Sequence, residues 1–353
     1  MTAVDKPESR VPHRPAICRR VAAACLIGLG LGLLTYGFLV ARGPGIQGSD
    51  FTYPWLAARA LFHGIDTYSA VRTSQTPWPP TLFYPVPAAI IALPFAWLSV
   101  QVAAASFVAI GCGLLALAVS DRGMWRLWIF ATPPVYRVCL SPQWAPLLMA
   151  AALWSPALGI VVAKPNLALP LLAYQQRLRS VWWAIAGGGA LIAVSLVLQP
   201  AWPIHWIETL RRAPESAQYL IPILSPWGII LALAALRWRQ PEARLILGMA
   251  CTPQNFFFYD QFALFLIPRT SFETLTMAVI SWVVFLIPVS NSIPTHGISD
   301  RSARNLPLVI AGLYLPALMM VLLRPNEGQM PWRLERAVAR WPRWIRGDQG
   351  ARM

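Results

Sequence analysis

Residues 21–41 read VAAACLIGLGLGLLTYGFLVA, an uncharged run that ends where Arg42 begins a more polar stretch. A helix needs about 20 consecutive apolar residues to cross a bilayer, so this run is long enough to span one. It is longer than the roughly 7–15 residues of a signal-peptide core and lacks a convincing A-x-A cleavage site, so we expect a retained first membrane helix. The stretch therefore predicts an integral membrane protein.

The composition of the remaining chain agrees with this prediction. Of the 353 residues, 57% are hydrophobic and 12% are charged, whereas soluble domains carry about 25% charged residues. The 33 prolines predict short, broken and tilted helices, some of them re-entrant, because several apolar segments are too short to cross alone. The expected fold class is an all-α polytopic membrane protein with about ten to twelve membrane segments. After the first span, these segments fall at about 84–98, 100–119, 126–140, 143–155, 157–173, 181–199, 220–236, 245–252, 256–268, 272–289 and 305–323.

The charge distribution predicts the domain organisation and the topology. Arginines cluster in residues 1–20 and 324–353, which we interpret as basic cytoplasmic tails on either side of a single integral membrane domain, residues 21–323. This predicts a multi-pass protein of the inner (cytoplasmic) membrane, in contact with membrane lipids. The net charge of +15 has no nucleic-acid-binding motif beside it, so we expect no nucleic-acid partner. The five cysteines have no CxxC spacing and indicate neither a disulfide set nor a metal site.

Residues 42–81 form the first outer loop in this topology, and residues 42–68 read RGPGIQGSDFTYPWLAARALFHGIDTY. An apolar face predicts an amphipathic helix along the membrane interface, ended by Gly64. Asp50 precedes this helix and either caps it or has a functional role. Thr52 is the better cap, because it places Pro54 in the first turn, where no N–H is needed. The residues of the apolar face are Trp55, Ala58, Leu61 and Phe62.

Several short motifs of this loop recur in a known family. Asp50-Phe51, AARAL at 57–61, GIDTY at 64–68 and FYPVP at 83–87 resemble glycosyltransferase family 87, whose members are polytopic GT-C-fold enzymes. The likeness continues to about residue 268 through weaker elements in the same order. These are Gln143, Lys164-Pro165, the arginine-rich turn 177–179, and Thr252-Pro253 followed by Phe256, Phe257, Phe258 and Tyr259.

The resemblance implies an inverting glycosyltransferase of the cell envelope. It would move a sugar, mannose-like in this family, from a polyprenyl-phosphate donor to a lipid or glycan acceptor on the outer face of the membrane, with no metal or other cofactor. Asp50 would be the catalytic base. Ionisable groups near lipid are costly and therefore candidates for function. The substrate-binding candidates are Arg59, Asp66, Tyr68, Tyr84, Arg137, Gln143, Lys164, Tyr259 and Asp260.

Some features of the chain leave alternatives open. Lys164 could bind phosphate, pair with a carboxylate of another helix, or extend to the interface. His63 and His205 are isolated histidines, which are more often incidental than functional. Pro142 replaces the glycine of the family's Gly-Gln, and no histidine lies near the aromatic residues 256–259. The chain could therefore use a changed substrate or be an inactive descendant. A transporter or lipid flippase, or a non-catalytic membrane subunit, are the competing classes.

Overall fold

The structure is a computed structural model that describes residues 14–77, 80–212, 220–289 and 298–328. In these ranges all regular elements are helices, apart from an isolated antiparallel bridge between Leu220 and Gln254. The prediction of an all-α protein is confirmed. The α-helices are α1 (Arg14–Ala41), α2 (Thr52–Phe62), α3 (Thr67–Thr73), α4 (Val86–Ala92), α5 (Val100–Ser120), α6 (Pro133–Leu140), α7 (Ala145–Leu153), α8 (Pro165–Ala173), α9 (Leu178–Leu198), α10 (Trp202–Arg211), α11 (Pro241–Cys251), α12 (Ser271–Val289), α13 (Ile298–Val309) and α14 (Leu315–Leu322).

Four helices of the described chain are long and apolar enough to cross a membrane: Ile17–Ala41, Val100–Ser120, Leu178–Leu198 and Ser302–Leu322. These four helices support a helical membrane protein, but the prediction of ten to twelve membrane segments is wrong. Helices α4, α6, α7, α8 and α11 have only 7–11 residues, and each has a proline in its first turn. Proline is tolerated there but restricts the preceding residue, so it separates one short helix from the next.

Small residues hold the first two spans together. A Cβ on Gly28 would lie 2.6 Å from the carbonyl oxygen of Ala109, and one on Gly32 would lie 3.1 Å from that of Ala105. Glycine therefore permits the close backbone approach that packs α1 against α5. Such packing is a common source of stability in lipid, where burying apolar side chains gains little.

The segment between α7 and α9 enters and leaves the helical body at the same end. Ser155 is the first residue of the 3₁₀ segment Ser155–Ala163, and its hydroxyl lies 2.8 Å from the hydroxyl of Ser180, at the start of α9. The chain turns at Lys164 and α8 then returns, so that Gln175 donates a hydrogen bond to the Ala152 carbonyl at 3.1 Å. These contacts define a re-entrant hairpin with Lys164 at its tip, in agreement with the predicted re-entrant pieces.

A second re-entrant hairpin faces the first. Helix α11 and the 3₁₀ segment Asp260–Leu266 are joined by residues 252–259. At its start, Arg244 donates to the carbonyl of Ala173, at the end of α8, at 2.7 Å. At its finish, Arg126 donates to the carbonyl of Pro268 at 2.8 Å. The predicted apolar segments 245–252 and 256–268 belong to this hairpin, whose break lies at residues 252–259.

Arginine side chains gather at one end of the helical body, which we call the arginine end. Arg20 pairs with Asp121 at 2.8 Å, and Arg269 pairs with the buried Glu242 at 2.9 Å. Helix α1 rises about 30 Å between Arg20 and its last residue, so the first loop begins at the opposite end, which we call the loop end. Other arginines of the arginine end include Arg122, Arg126, Arg237, Arg244 and Arg324.

The predicted tails are only partly described. Helix α1 begins at Arg14, so the predicted tail boundary at residue 20 lies inside a helix. Residues 1–13 and 329–353 lie outside the described residues. Arg324 belongs to the packed body, because it donates to the Glu273 carboxylate at 2.8 Å.

Helix α2 forms where the loop sequence predicts it, but it is more deeply packed than an interfacial helix. Eight of its 11 residues are buried, and Phe62 of the predicted apolar face is 53% exposed. No side chain caps its first turn, so neither Asp50 nor Thr52 has that role. Gly64 ends the helix as predicted, with a φ of +69°, and Ile65 N–H closes the turn on the Ala60 carbonyl at 2.9 Å.

Candidate functional site

Asp50 lies in the 3₁₀ turn Ser49–Phe51, between the first span and α2. Phe51 anchors the turn, because its ring is 1% exposed and stacks on Phe107 with centroids 4.5 Å apart. Ser49 has a φ of +53°, a conformation that costs a non-glycine residue about 1–3 kcal/mol and persists only where the surroundings impose it. The anchored turn directs the Asp50 side chain into the protein, where it is partly buried.

A continuous line of polar contacts joins Asp50 to a second carboxylate. Gln143 donates through Nε2 to Asp50, and its Oε1 accepts from Lys164 Nζ at 2.9 Å. Lys164 Nζ lies 2.5 Å from Asp260 Oδ1, and Asn166 Nδ2 donates to Asp260 Oδ2 at 3.3 Å. The Asp260 side chain is 0% exposed, so its charge depends on these partners. Among the alternatives for Lys164, the structure shows the pairing with a carboxylate of another helix.

Short helical segments begin at or next to three residues of this line. Gln143 lies just before α7, Lys164 directly precedes α8, and Asp260 opens the 3₁₀ segment Asp260–Leu266. The first N–H groups of a helix have no partner within it, and the helix dipole places partial positive charge there. The tips of both re-entrant hairpins therefore meet in a positive field that favours anionic groups.

The surroundings of Asp50 change its acidity. Burial raises the pKa of the Asp50 carboxyl above its ordinary value. Hydrogen bonds from Ser141 and Gln143, and the positive charges of Lys164 and Arg137, act in the opposite direction but do not offset the burial. A carboxylate with a raised pKa is a stronger proton acceptor near neutral pH, as general-base catalysis requires.

Arg137 and Tyr259 border the same line. The guanidinium of Arg137 lies 5.6 Å from the Phe257 ring centroid, and its Nε donates to the Phe257 carbonyl at 3.3 Å. The Tyr259 ring centroid lies 5.3 Å from Lys164 Nζ. Between these aromatic residues, Phe258 has a φ of +72°, which is rare for a bulky side chain and marks a backbone held in place by its packing.

Two candidates from the first loop lie elsewhere. Arg59 is exposed, and its guanidinium lies 4.8 Å from the ring centroid of Trp55. Asp66 caps α3 by accepting from Ser69 N–H at 2.8 Å, and it contacts His205 Nδ1 at 3.1 Å. Burial raises the pKa of Asp66, but the hydrogen bonds from Ser69 and His205 outweigh it, so the net pKa is lowered.

Tyr68 and Tyr84 connect these two regions. The Tyr68 hydroxyl donates to the Tyr84 carbonyl at 3.2 Å. The ring centroids of Tyr84 and Trp144 lie 6.0 Å apart. Trp144 directly follows Gln143 in the chain. Three aromatic residues in series, Tyr68, Tyr84 and Trp144, therefore connect the Asp66 region to the Asp50 line.

Two cavities open at the loop end. The first, about 410 Å³, is lined by residues that include Asp66, Tyr68 and His205. The second, about 610 Å³, is lined by residues that include Gln47 and Thr76. Asp50 lines neither of these two cavities. In the described part of the chain, no group of three His, Cys, Asp or Glu side chains is placed to hold a metal ion.

The structure adds residues that sequence reasoning did not select. Ser141 lies beside Asp50 and acts to lower its pKa, and Asn166 donates a hydrogen bond to Asp260. Both are polar residues within two positions of a predicted site residue, Gln143 or Lys164, and this closeness could have identified them. The sequence presents His205 as an isolated histidine, of a kind more often incidental than functional, and the structure pairs it with Asp66 across 139 positions, a separation that local patterns do not reveal.

Comparison of this chain with protein-family models, with curated proteins and with solved structures finds no match. The resemblance to glycosyltransferase family 87 therefore depends on the quoted motifs alone.

Proposed function

We propose that this chain is an inverting, GT-C-like glycosyltransferase that uses a polyprenyl-phosphate sugar. The observation that carries the proposal is the setting of Asp50. Asp50 lies in the turn Ser49–Phe51, nine residues after the end of the first span, and its carboxylate accepts from Gln143 and has a raised pKa. A group in this position can meet both a donor whose lipid tail lies in the bilayer and a hydroxyl that arrives from water.

In this reaction Asp50 accepts a proton. The acceptor hydroxyl oxygen forms a bond to the anomeric carbon, while the bond from that carbon to the phosphate oxygen breaks. The hydroxyl proton goes to the Asp50 carboxylate, and the bonding electron pair leaves with the polyprenyl phosphate. A base within hydrogen-bond reach contributes about 10²–10⁴-fold to such a transfer.

The departing phosphate needs positive charge beside the base. Lys164 and Arg137 both act electrostatically on Asp50, and α7 and α8 begin at the site. Fixed donors and dipoles of this kind stabilise developing negative charge better than mobile water does. We assign Arg137 to the phosphate. Lys164 is already bound between Gln143 and Asp260, so its role is to position Gln143 and thereby Asp50.

Membrane orientation follows from the same proposal. The arginine end would face the cytoplasm, with both termini on that side, and the loop end would face outward from the cytoplasmic membrane. This arrangement is supported by the gathering of arginines at one end of the described helices, opposite the loop that carries Asp50.

The chain departs from the family in lacking a histidine near residues 256–259. Tyr259 and Asp260 occupy this region, but Asp260 is bound by Lys164 and Asn166. We assign Tyr259, whose ring centroid lies 5.3 Å from Lys164 Nζ, to the substrate there. The polar line from Asp50 to Asp260 is intact, which favours an active enzyme with a changed substrate over an inactive descendant.

The function is tested with purified protein in detergent, radiolabelled polyprenyl-phosphate sugars and a membrane lipid extract. We expect time-dependent transfer of label from at least one donor, mannose or arabinose among them, to a lipid or glycan product. Absence of product from all donors, with protein that is folded and monodisperse, would contradict the proposal.

A transporter is the second candidate, because two re-entrant hairpins meet around an embedded ion pair, as in many transporters. Reconstituted vesicles separate the two functions. The transferase predicts no movement of labelled polyprenyl-phosphate sugar between leaflets above that in protein-free vesicles, whereas a flippase predicts exchange without transfer.

A further inference from the structure

The 410 Å³ cavity at the loop end has walls from three separate parts of the chain. They are helix α3, residues 80–82 and helix α10. Its volume falls in the range of about 300–1,000 Å³ that small-molecule sites occupy. Asp66 and Tyr68 are substrate-binding candidates from the sequence, but no residue of the lining has a role in the reaction described above.

Contacts between distant residues hold the three walls in place. The Asp66–His205 contact joins α3 to α10. Trp206 Nε1 of α10 donates to the carbonyl of Phe83, next to the wall formed by residues 80–82, at 2.9 Å. Gln199 fixes the start of α3 by accepting from the Thr67 hydroxyl at 3.0 Å. A cavity whose walls are bound to one another in this way is formed before a ligand arrives, which reduces the entropy cost of binding.

The lining combines charges of both signs. Arg72 and Arg212 line the cavity together with Asp66 and Glu208, and Arg212 lies 3.5 Å from Glu208. A phosphate bound here would meet two carboxylates, and a metal cation would meet two arginines. The hydroxyl groups of a sugar both donate and accept hydrogen bonds, so they can satisfy arginine and carboxylate together.

The remaining lining fits the carbon skeleton of a sugar. The Tyr68 ring is 8% exposed and lies edge-to-face with His205, their centroids 6.1 Å apart. Pro80 and Leu82 add apolar surface. Pockets that combine such surface with a few placed polar groups fix the orientation of small ligands.

From this lining we infer that the cavity binds a neutral, hydroxyl-rich carbohydrate, and that this carbohydrate is the acceptor of transfer. The second half of the inference rests on the proposed transferase function, but the binding itself does not. The contacts from Tyr68 through Tyr84 to Trp144 connect the cavity to the Asp50 line. An acceptor bound here would extend past Tyr84 to reach the base.

The binding is tested on the full chain in detergent by saturation-transfer difference NMR. The probes are methyl glycosides of mannose, arabinose, glucose and galactose, with inorganic phosphate as a competitor. We expect at least one glycoside to bind the wild-type protein. Arg72→Ala and Glu208→Gln should each weaken its apparent affinity about tenfold, because each removes a charged hydrogen-bonding group. Arg211→Ala, a matched change on α10 outside the lining, should leave the affinity unchanged.

The outcomes of this test separate the binding inference from the proposed function. No binding of any glycoside, or binding that Arg72→Ala and Glu208→Gln leave intact in folded protein, would overturn the inference. Displacement of the glycoside by phosphate would also overturn it, in favour of an anion site. Asp50→Asn should retain glycoside binding while losing transfer. If this variant keeps transfer, the proposed function fails instead, and the binding result still stands.

Discussion

At the scale of single residues, the raised pKa of Asp50 has a consequence for the pH dependence of transfer. The base must be ionised to accept a proton, so the rate falls as the pH drops through the pKa of this group. Because burial raises that pKa, the acid limb should begin at a higher pH than it would for an aspartate with the ordinary pKa of 3.8. Initial rates measured across acidic and neutral pH test this. A rate that stays constant down to that ordinary value would contradict the assignment.

The ion pair between Lys164 and Asp260 makes a separate prediction about stability. Lys164→Met leaves the buried Asp260 carboxylate without its cation, which costs about 3–5 kcal/mol. The double variant Lys164→Met, Asp260→Leu should recover much of this loss, because it removes both charges. Thermal or denaturant unfolding in detergent measures both effects.

An exposed ion pair provides the control for that experiment. Asp121, whose side chain is 70% exposed, pairs with Arg20. Asp121→Asn should change the stability by at most about 1 kcal/mol. If Lys164→Met were as mild as Asp121→Asn, the Lys164–Asp260 pair would not hold the hairpin tips together.

At the scale of elements, the first hairpin depends on one close approach. A Cβ on Gly159 would lie 2.5 Å from the carbonyl carbon of Gly187 in α9, whereas a Cβ on Gly189 meets nothing within 4 Å. Gly159→Ala should therefore force the two segments apart, lower the stability by about 1–3 kcal/mol and reduce transfer, since Lys164 ends the displaced segment. Gly189→Ala, the matched control, should be close to neutral. Equal effects of the two substitutions on unfolding would contradict this packing.

The elements also show what sequence can and cannot predict. The turn at Gly64 and the break at Pro253 were predictable, because each follows from the local chemistry of glycine or proline. The number of spans was not predictable. An apolar run of nine residues, such as α8, has the same composition in a full span and in one arm of a hairpin. Packing between distant segments decides between these two outcomes.

The candidate site was predictable in its members but not in its arrangement. Asp50, Gln143, Lys164 and Asp260 were selected because polar groups are rare in this apolar chain and because of the resemblance. Their order in one line depends on contacts such as Asp50–Gln143, across 93 positions, and Lys164–Asp260, across 96. No local pattern encodes such contacts, and the same reason explains why the pairing of Asp66 with His205 was missed.

At the scale of the whole molecule, the two ends of the helical body define an orientation that can be measured. In a cysteine-free background, Gln75→Cys at the exposed loop end should react in intact cells with a maleimide that does not cross the membrane. Arg179→Cys, near the arginine end, should react only after the membrane is permeabilised. The reverse pattern would place Asp50 in the cytoplasm and exclude transfer at the outer face.

The central claim is that Asp50 is the base of a sugar transfer, and one comparison tests it most directly. Transfer from the radiolabelled polyprenyl-phosphate donor is measured for the wild type, for Asp50→Asn and for Asp121→Asn, the same change at the opposite end. We predict that Asp50→Asn lowers the turnover by about 10²–10⁴-fold, with unchanged expression and folding, while Asp121→Asn keeps the wild-type rate. An Asp50→Asn protein that transfers sugar at nearly the wild-type rate would contradict the claim.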